Sequence, residues 1–427
     1  MTNMADMSKD VLVALERDLT RDFELQKSNR LALDLTRGKP APEQLALSDG
    51  MADVLAGDFF AADGTDTRNY GGLRGLPEAR ALGAELLETP VENVICHGNS
   101  SLTLMYIVTA TALNKGLWGD KRRWNLTSPV KVLTPVPGFD RHFTLCQSFG
   151  IEMVNVPMTD SGPDMREANR LAAEDDSIKG IWCVPKYANP TGIIYSDECV
   201  NELARLPATA AADDFVVFWD NAYAVHDFQF PRAPLAPMAT LATDAGTADQ
   251  IVMFASTSKI TYAGGGLGFL AASTKVLDVL EKQMRVFSIC PDKVNQLRHA
   301  RFLKGRLEDH MAQHAALVKP KFELVEQTLR DGLEELDIAR WTSPAGGYFV
   351  SLDTRPGLAK SIEQLAGETG LALTPAGTPF PSGRDPEDRN LRIAPTFAHT
   401  EDLSVAMSVM VLCIKLATVR QQLGPSS

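Results

Sequence analysis

Between about residue 75 and residue 275, short apolar, β-rich runs alternate with helical stretches, and this alternation limits the fold more than any other feature. The candidate strands are 130–136, 180–184, 215–219, 251–255 and 267–271. Several are apolar at consecutive rather than alternate positions, as strands buried on both faces of a parallel sheet are. A helical region follows over roughly 274–338, with Phe322, Val325, Leu329 and Leu336 on one face. Pro320 is expected to start or kink a helix there. Strand-like pieces return at 347–352 and 390–394, before an amphipathic helix near 400–420. Residues 8–29 mix charges with Val11, Leu12, Leu15 and Phe23, which suggests a surface or subunit-spanning helix. The fold class read from this is α/β: a large domain (51–320) with a mostly parallel central sheet flanked by helices, and a smaller α+β domain (321–427) joined by residues 1–50.

Charge narrows the partners. With 42 basic and 54 acidic side chains the net charge is −12, so no nucleic acid is expected as partner, since binding phosphate needs a basic surface. The same sign argues against anionic lipid. The six cysteines form no CxxC pair and no zinc spacing with histidine. Buried or free thiols in a reducing cytosol, and no metal, are the expectation. The charged N-terminus lacks the apolar centre of a secretory signal, and the apolar stretch 405–414 reads as too short to span a bilayer. A cytoplasmic protein without a membrane is expected.

Several polar strings follow the apolar runs. Ser256-Thr257-Ser258-Lys259 comes directly after 251–255, where α/β proteins place ligands. Three hydroxyls beside one amine suit a phosphate, and a desolvated lysine becomes a nucleophile able to form a Schiff base. Alone, the string reads more simply as a solvated lysine in a polar loop. The S-x-x-K match lacks its acyl-transfer companions. Gly98-Asn99-Ser100-Ser101, between a strand and a helical run, makes either an anion cup or a plain helix cap. Asn189-Pro190-Thr191-Gly192 is a turn signal. Asp220 ends an apolar strand, where a carboxylate needs a partner such as a protonated heterocyclic nitrogen. Arg392 inside an apolar strand suits a bidentate carboxylate, from a substrate or from an internal acid. Gly266–Ala271 matches G-x-G-x-x-A but lacks the strand-before, helix-after setting of a dinucleotide site; a nicotinamide-dependent dehydrogenase is the runner-up it supplies.

In this order, the strings resemble the fold-type-I, class I/II pyridoxal-phosphate aminotransferases, nearest a divergent aspartate-aminotransferase-like subgroup. LTRGKP (35–40), NYGGLRG (69–75), PVPGFDRH (135–142), DNAYAVH (220–226), STSKIT (256–261), DKVNQLRHARF (292–302) and PAGGYF (344–349) carry the likeness. The resemblance implies pyridoxal 5'-phosphate as cofactor, its aldehyde held by Lys259 as a Schiff base, with the freed amine then shuttling the substrate proton. It implies Asp220 on the ring nitrogen, Asn189 and Tyr223 on the phenolic oxygen and Phe139 against the ring. The phosphate would lie on Gly98, Asn99, Ser100 and Ser101, with Ser256 and Ser258 opposite and Tyr70 reaching in from a second subunit. Arg392 would clamp the substrate α-carboxylate, and Gly38 would let the backbone approach the substrate. One departure is Leu267, where the family usually places a phosphate-binding arginine eight residues after the lysine.

The resemblance further implies an aminotransferase moving an amino group to a 2-oxo acid such as 2-oxoglutarate, and a homodimer with sites at the interface. Aspartate or glutamate is the favoured donor. Its distal carboxylate would meet Arg285 of a partner subunit, with Arg37, Arg141 and Lys293 as rivals. An aromatic or aliphatic aminotransferase, a lyase and a decarboxylase share Asp220 and Lys259 and remain alternatives.

Overall fold

The computed structural model describes residues 3–29 and 31–424. Its central sheet has eight strands: β1 (Val94–Cys96), β2 (Lys131–Val136), β3 (Glu152–Thr159), β4 (Gly162–Pro163), β5 (Ile178–Cys183), β6 (Val216–Asp220), β7 (Ile251–Ser256) and β8 (Gly268–Ala271). They lie in the order β1-β8-β7-β6-β5-β2-β3-β4. The pairs among β2, β3, β5, β6 and β7 are parallel. β8 runs against both its neighbours, and β4 against β3.

The apolar runs have the cause expected of them. In β6, Val217 and Trp219 enter one hydrophobic core while Val216 and Phe218 enter another on the opposite face. Alternate side chains leave a strand on opposite sides, so burial of both faces demands an unbroken apolar run. β3 escapes such a reading because only Val156 in it is fully buried. Beside the two-residue β4 it is nearly an edge.

The smaller domain has its own antiparallel sheet of β9 (Ala339–Trp341), β10 (Val350–Thr354) and β11 (Asn390–Ile393). The strand expected at 347–352 begins only at Val350. Gly347 has φ +81° and lies so close to Tyr187 that a Cβ there would sit 2.6 Å from that residue's Cβ, so the chain turns instead of extending. The helical region resolves into Thr274–Met284, Lys293–Leu303 and Leu307–Leu333. Pro320 neither starts nor interrupts the last of these. That helix joins the two cores: Leu307 and Met311 belong to the large one, Val318, Phe322, Val325 and Leu329 to the small one. The N-terminal helix Lys9–Ser28 places Leu12, Leu19 and Phe23 in the small core.

The C-terminal helix Thr400–Leu423 departs from expectation twice. It is apolar on nearly every side rather than amphipathic, because it is buried along most of its circumference by neighbouring elements of the small core. It is also long and apolar enough to cross a membrane by length and composition, with mean hydropathy 1.8, although 67% of that stretch is buried inside the fold. Five of the six cysteines are buried and all are free thiols.

Candidate active site

The polar residues singled out in the sequence leave the carboxyl ends of the parallel strands, the end where open α/β sheets bind ligands. Phe139 follows β2, Asn189 follows β5, Asp220 ends β6, and Ser256 to Lys259 close β7. Arg392 faces them from β11 of the smaller domain.

Asp220 is 1% exposed. His142 Nε2 lies 3.1 Å from its Oδ2, while Oδ1 is buried without a partner. His142 comes from the helix Asp140–Ser148 and stacks on Trp182 at 4.3 Å, and Trp182 stacks on Phe218 at 4.2 Å. Phe139 meets the same imidazole edge-on at 5.0 Å. An unpartnered buried carboxylate oxygen is costly unless a cation or a protonated nitrogen completes it.

Lys259 is partly open to the cleft. Its Nζ lies 5.1 Å from the centre of the Tyr223 ring and 5.8 Å from that of Tyr348. Desolvation lowers the Lys259 amine below the ordinary lysine range, opposed by the Asp220 carboxylate. The lowering enlarges the share of neutral, nucleophilic amine relative to an ordinary lysine. Burial, with Asp220 adding to it, raises the Tyr223 phenol and keeps it protonated.

The turn carrying Lys259 is anchored by histidines from three other segments. His226 Nε2 donates to the Lys259 carbonyl at 3.2 Å, and His310 Nε2 to the Ile260 carbonyl at 2.7 Å. The Thr261 hydroxyl donates to His299 Nε2 at 2.9 Å, since Nδ1 of that ring donates to the Asn295 carbonyl. His314 lies behind His310 and accepts from Gln44, which also donates to Tyr348. Burial pushes His226 down to about 3 and His299 and His314 to about 4.

Arg392 is 9% exposed. Its Nη1 donates to Asp140 Oδ1 at 3.1 Å and to Asn189 Oδ1 at 3.3 Å, its guanidinium lies over Phe349 at 4.9 Å, and its Nε is buried without a partner. Gly38 abuts the same aromatic ring: a Cβ there would fall 2.4 Å from Phe349 Cζ. The absent side chain at 38 therefore makes room for Phe349, a reason distinct from approach to a substrate.

The Gly98–Ser101 turn also forms as a cup. Gly98 has φ +66°, Ser100 caps the helix Ser101–Asn114, and neither serine side chain bonds the helix end. Its backbone is laced to the strand after the lysine loop through Gly268 N to Gly98 O and His97 N to Gly268 O, both 3.0 Å. Ser258 Oγ donates to Asn99 O at 3.4 Å, so Gly98 to Ser101 and Ser256 to Ser258 meet. A Cβ at Gly268 would lie 2.9 Å from Ser100 O, and one at Gly266 3.0 Å from Thr257 Oγ1, so these glycines serve close backbone packing at the cup and at the lysine loop, followed by a strand and not a helix. Leu267 is 2% exposed in the large core. No cluster of three or more His, Cys, Asp or Glu able to hold a metal occurs among the described residues.

The model of the aspartate amino-transferase family matches residues 7–425. The chain belongs to the aspartate aminotransferase family.

Individual relatives agree. The chain is 41% identical to an aspartate aminotransferase of Corynebacterium glutamicum over 97% of this chain and 96% of that one. A protein of Mycolicibacterium smegmatis, provisionally described as an aminotransferase, is 46% identical over 98% of both chains. The crystal structure of an aspartate transaminase from Corynebacterium glutamicum superposes with a TM-score of 0.94 at 40% identity, covering 99% of this chain and 100% of that one. This protein is accordingly an aminotransferase, and the dehydrogenase reading falls.

Two anticipated residues stand apart in this aminotransferase. Tyr70 is 77% exposed, in a loop tied down by Lys293 Nζ to Tyr70 O at 3.3 Å. Arg285 lies on the surface, its guanidinium 2.5 Å from Glu281. Residues the sequence did not suggest are His142, the histidines behind Lys259, and Asp140. His142 and Asp140 lie inside a quoted string, PVPGFDRH, and His142 falls three positions after Phe139, on the same helix face.

Proposed function

We propose that this aminotransferase works with pyridoxal 5'-phosphate, takes aspartate or glutamate as donor and 2-oxoglutarate as acceptor, and acts as a homodimer. When bound, the cofactor supplies an aldehyde that captures amines and a protonated ring that accepts the electrons freed at the substrate Cα. Lys259 would hold the aldehyde and Asp220 the ring nitrogen. Phe139 would cover the ring, and Asn189 and Tyr223 would hydrogen-bond its phenolic oxygen. Backbone N–H groups of the Gly98–Ser101 turn and the Ser256 and Ser258 hydroxyls would take the phosphate. The observation that carries this reading is the orphaned Asp220 Oδ1 in a buried site that also holds an amine deprived of its hydration.

The chain's own groups then divide the work. Arg392 orients the substrate by its α-carboxylate, a bidentate task for which its unpartnered Nε is free. Lys259 Nζ would carry the proton taken from the substrate Cα. His142 keeps Asp220 in place, while the imidazoles behind 259–261 hold the lysine turn.

A second copy of the chain supplies what one chain leaves outside. Tyr70 is exposed, as are Val286 (82%), Phe287 (59%) and Ile289 (69%), directly after Arg285. Ser288 Oγ in that segment lies 3.0 Å from His97 Nε2, beside the cup. An apolar exposed segment at the rim of the site fits burial by a twofold partner, which would bring Tyr70 to the phosphate and Arg285 to a distal carboxylate.

The test is to add pyridoxal phosphate, reduce with borohydride and map the labelled peptide. Label on Lys259 is expected, and label elsewhere overturns the reading. Mixing the loaded enzyme with single amino acids should then give the fastest spectral change with aspartate or glutamate. A faster change with an aromatic or aliphatic amino acid would overturn the donor.

A further inference from the structure

The arginine assigned above to the substrate carboxylate already has an anion on it. Asp140 Oδ1 lies 3.1 Å from Arg392 Nη1, and the two side chains differ in access: Arg392 is 9% exposed, Asp140 24%. The other oxygen, Oδ2, lies 3.9 Å from Nε of Arg141, which is 54% exposed. Asp140 thus sits between a buried arginine assigned to the site and a solvated neighbour. It opens the helix Asp140–Ser148, directly after Phe139 and two residues before His142, so this one turn touches three elements of the site.

We propose that Asp140 is a positioning residue and internal competitor that occupies Arg392 when no substrate is bound, is displaced by the incoming carboxylate, and passes to Arg141. The proposal rests on the reading of Arg392 as the α-carboxylate clamp and deepens it. Its physical basis is competition. Two carboxylates beside one guanidinium repel each other, so the internal one lowers the affinity for every anionic ligand. In the empty site it also spares a buried guanidinium from lacking a counter-ion. Arg141 makes the release easier by offering the displaced carboxylate a second cation in water.

The test uses the loaded enzyme and succinate, an unreactive dicarboxylate, by titration calorimetry, with melting temperature as the check on folding. Asp140→Asn keeps the size and removes the charge, and is expected to bind succinate about tenfold more tightly (about 1.4 kcal/mol). It should lower KM for donor and acceptor without raising kcat. Asp140→Glu should restore wild-type affinity, and Asp140→Ser should follow Asn. Arg141→Gln should weaken succinate binding several-fold, and should have no effect on the Asp140→Asn background. If Asp140→Asn binds succinate no better than wild type, or worse, the residue merely orients Arg392 and the proposal is overturned. An Asp140→Asn gain that persists on an Arg392→Gln background also overturns it, because the effect would not run through Arg392. Failure of the underlying reading looks different: Arg392→Gln alone would then keep wild-type succinate affinity.

Discussion

His226 and Lys259 are joined through the lysine's backbone: the imidazole Nε2 donates to the Lys259 carbonyl at 3.2 Å, which leaves Nδ1 bare and unpartnered. The bond fixes the tautomer, because a carbonyl only accepts. Together with His310 and His299 it ties down three successive residues, 259 to 261. A side chain that must meet a reactive group benefits from a backbone that cannot drift.

Replacing His226 with Ala is therefore expected to destabilise the fold by about 2–4 kcal/mol, combining a cavity with an unpaired buried carbonyl. Denaturant unfolding measures it. A change below about 0.5 kcal/mol, the range of surface substitutions, would show that the imidazole does not anchor the turn.

Stability should also fall on mild acidification. His226 titrates at about 3 in the fold and His299 and His314 at about 4, below the ordinary value of 6.5. The unfolded chain then binds more protons than the folded one below about pH 6.5. The stabilisation is complete above that pH and declines as pH drops toward the folded values, by about 1.4 kcal/mol per group per unit. Denaturant midpoints from about pH 7 down to about pH 4.5, above most carboxylate titration, should show this slope. His299→Asn should flatten it, and an equal slope in that variant would contradict the assignment.

His142→Phe keeps an aromatic ring on Trp182 and removes the hydrogen bond to Asp220. Losing one bond to a buried charge predicts a fall of about ten- to a hundredfold in kcat/KM, with the melting temperature less affected. Steady-state kinetics decide the matter, and unaltered kcat/KM would leave Asp220 without need of this neighbour.

Gly38→Ala should be disruptive although position 38 has an ordinary backbone. The new methyl would press on Phe349, whose ring lies against Arg392, at an expected cost of about 1–3 kcal/mol. Phe349→Leu on the same chain should recover part of the loss in thermal unfolding. Were Gly38→Ala as stable as wild type, the tight packing at 38 would not be the reason for the glycine.

Phe287→Asp places a charge in the exposed apolar segment. On the proposed homodimer, sedimentation should show dissociation raised by about ten- to a hundredfold, with activity falling on dilution. A variant that stays dimeric would move the interface elsewhere.

Much of the site could be read from the chain because its residues follow strands. Asp220, Lys259 and Asn189 each come after an apolar run, so local pattern and chemistry point the same way. The cup at 98–101 was legible for the same reason, a strand running into a helix. The histidines were not. Thr261 and His299 are 38 residues apart, and Ile260 and His310 are 50 apart; within a helical pattern a histidine looks like any other polar residue. Asp140 stood in a quoted string, yet nothing local linked it to Arg392, 252 residues away. The small domain's last helix misled for a related reason: periodicity reports one covered face, and this helix is buried by the small core along most of its circumference.

What the sequence determined by itself was the layered α/β architecture and which residue types stand at strand ends, since burial on two faces leaves its mark in consecutive apolar positions. The tertiary structure alone decided the pairings: histidine to lysine turn, aspartate to arginine, glycine to aromatic ring. Such contacts join segments from 33 to more than 250 residues apart and depend on how whole cores close on each other, which no local preference of the chain encodes.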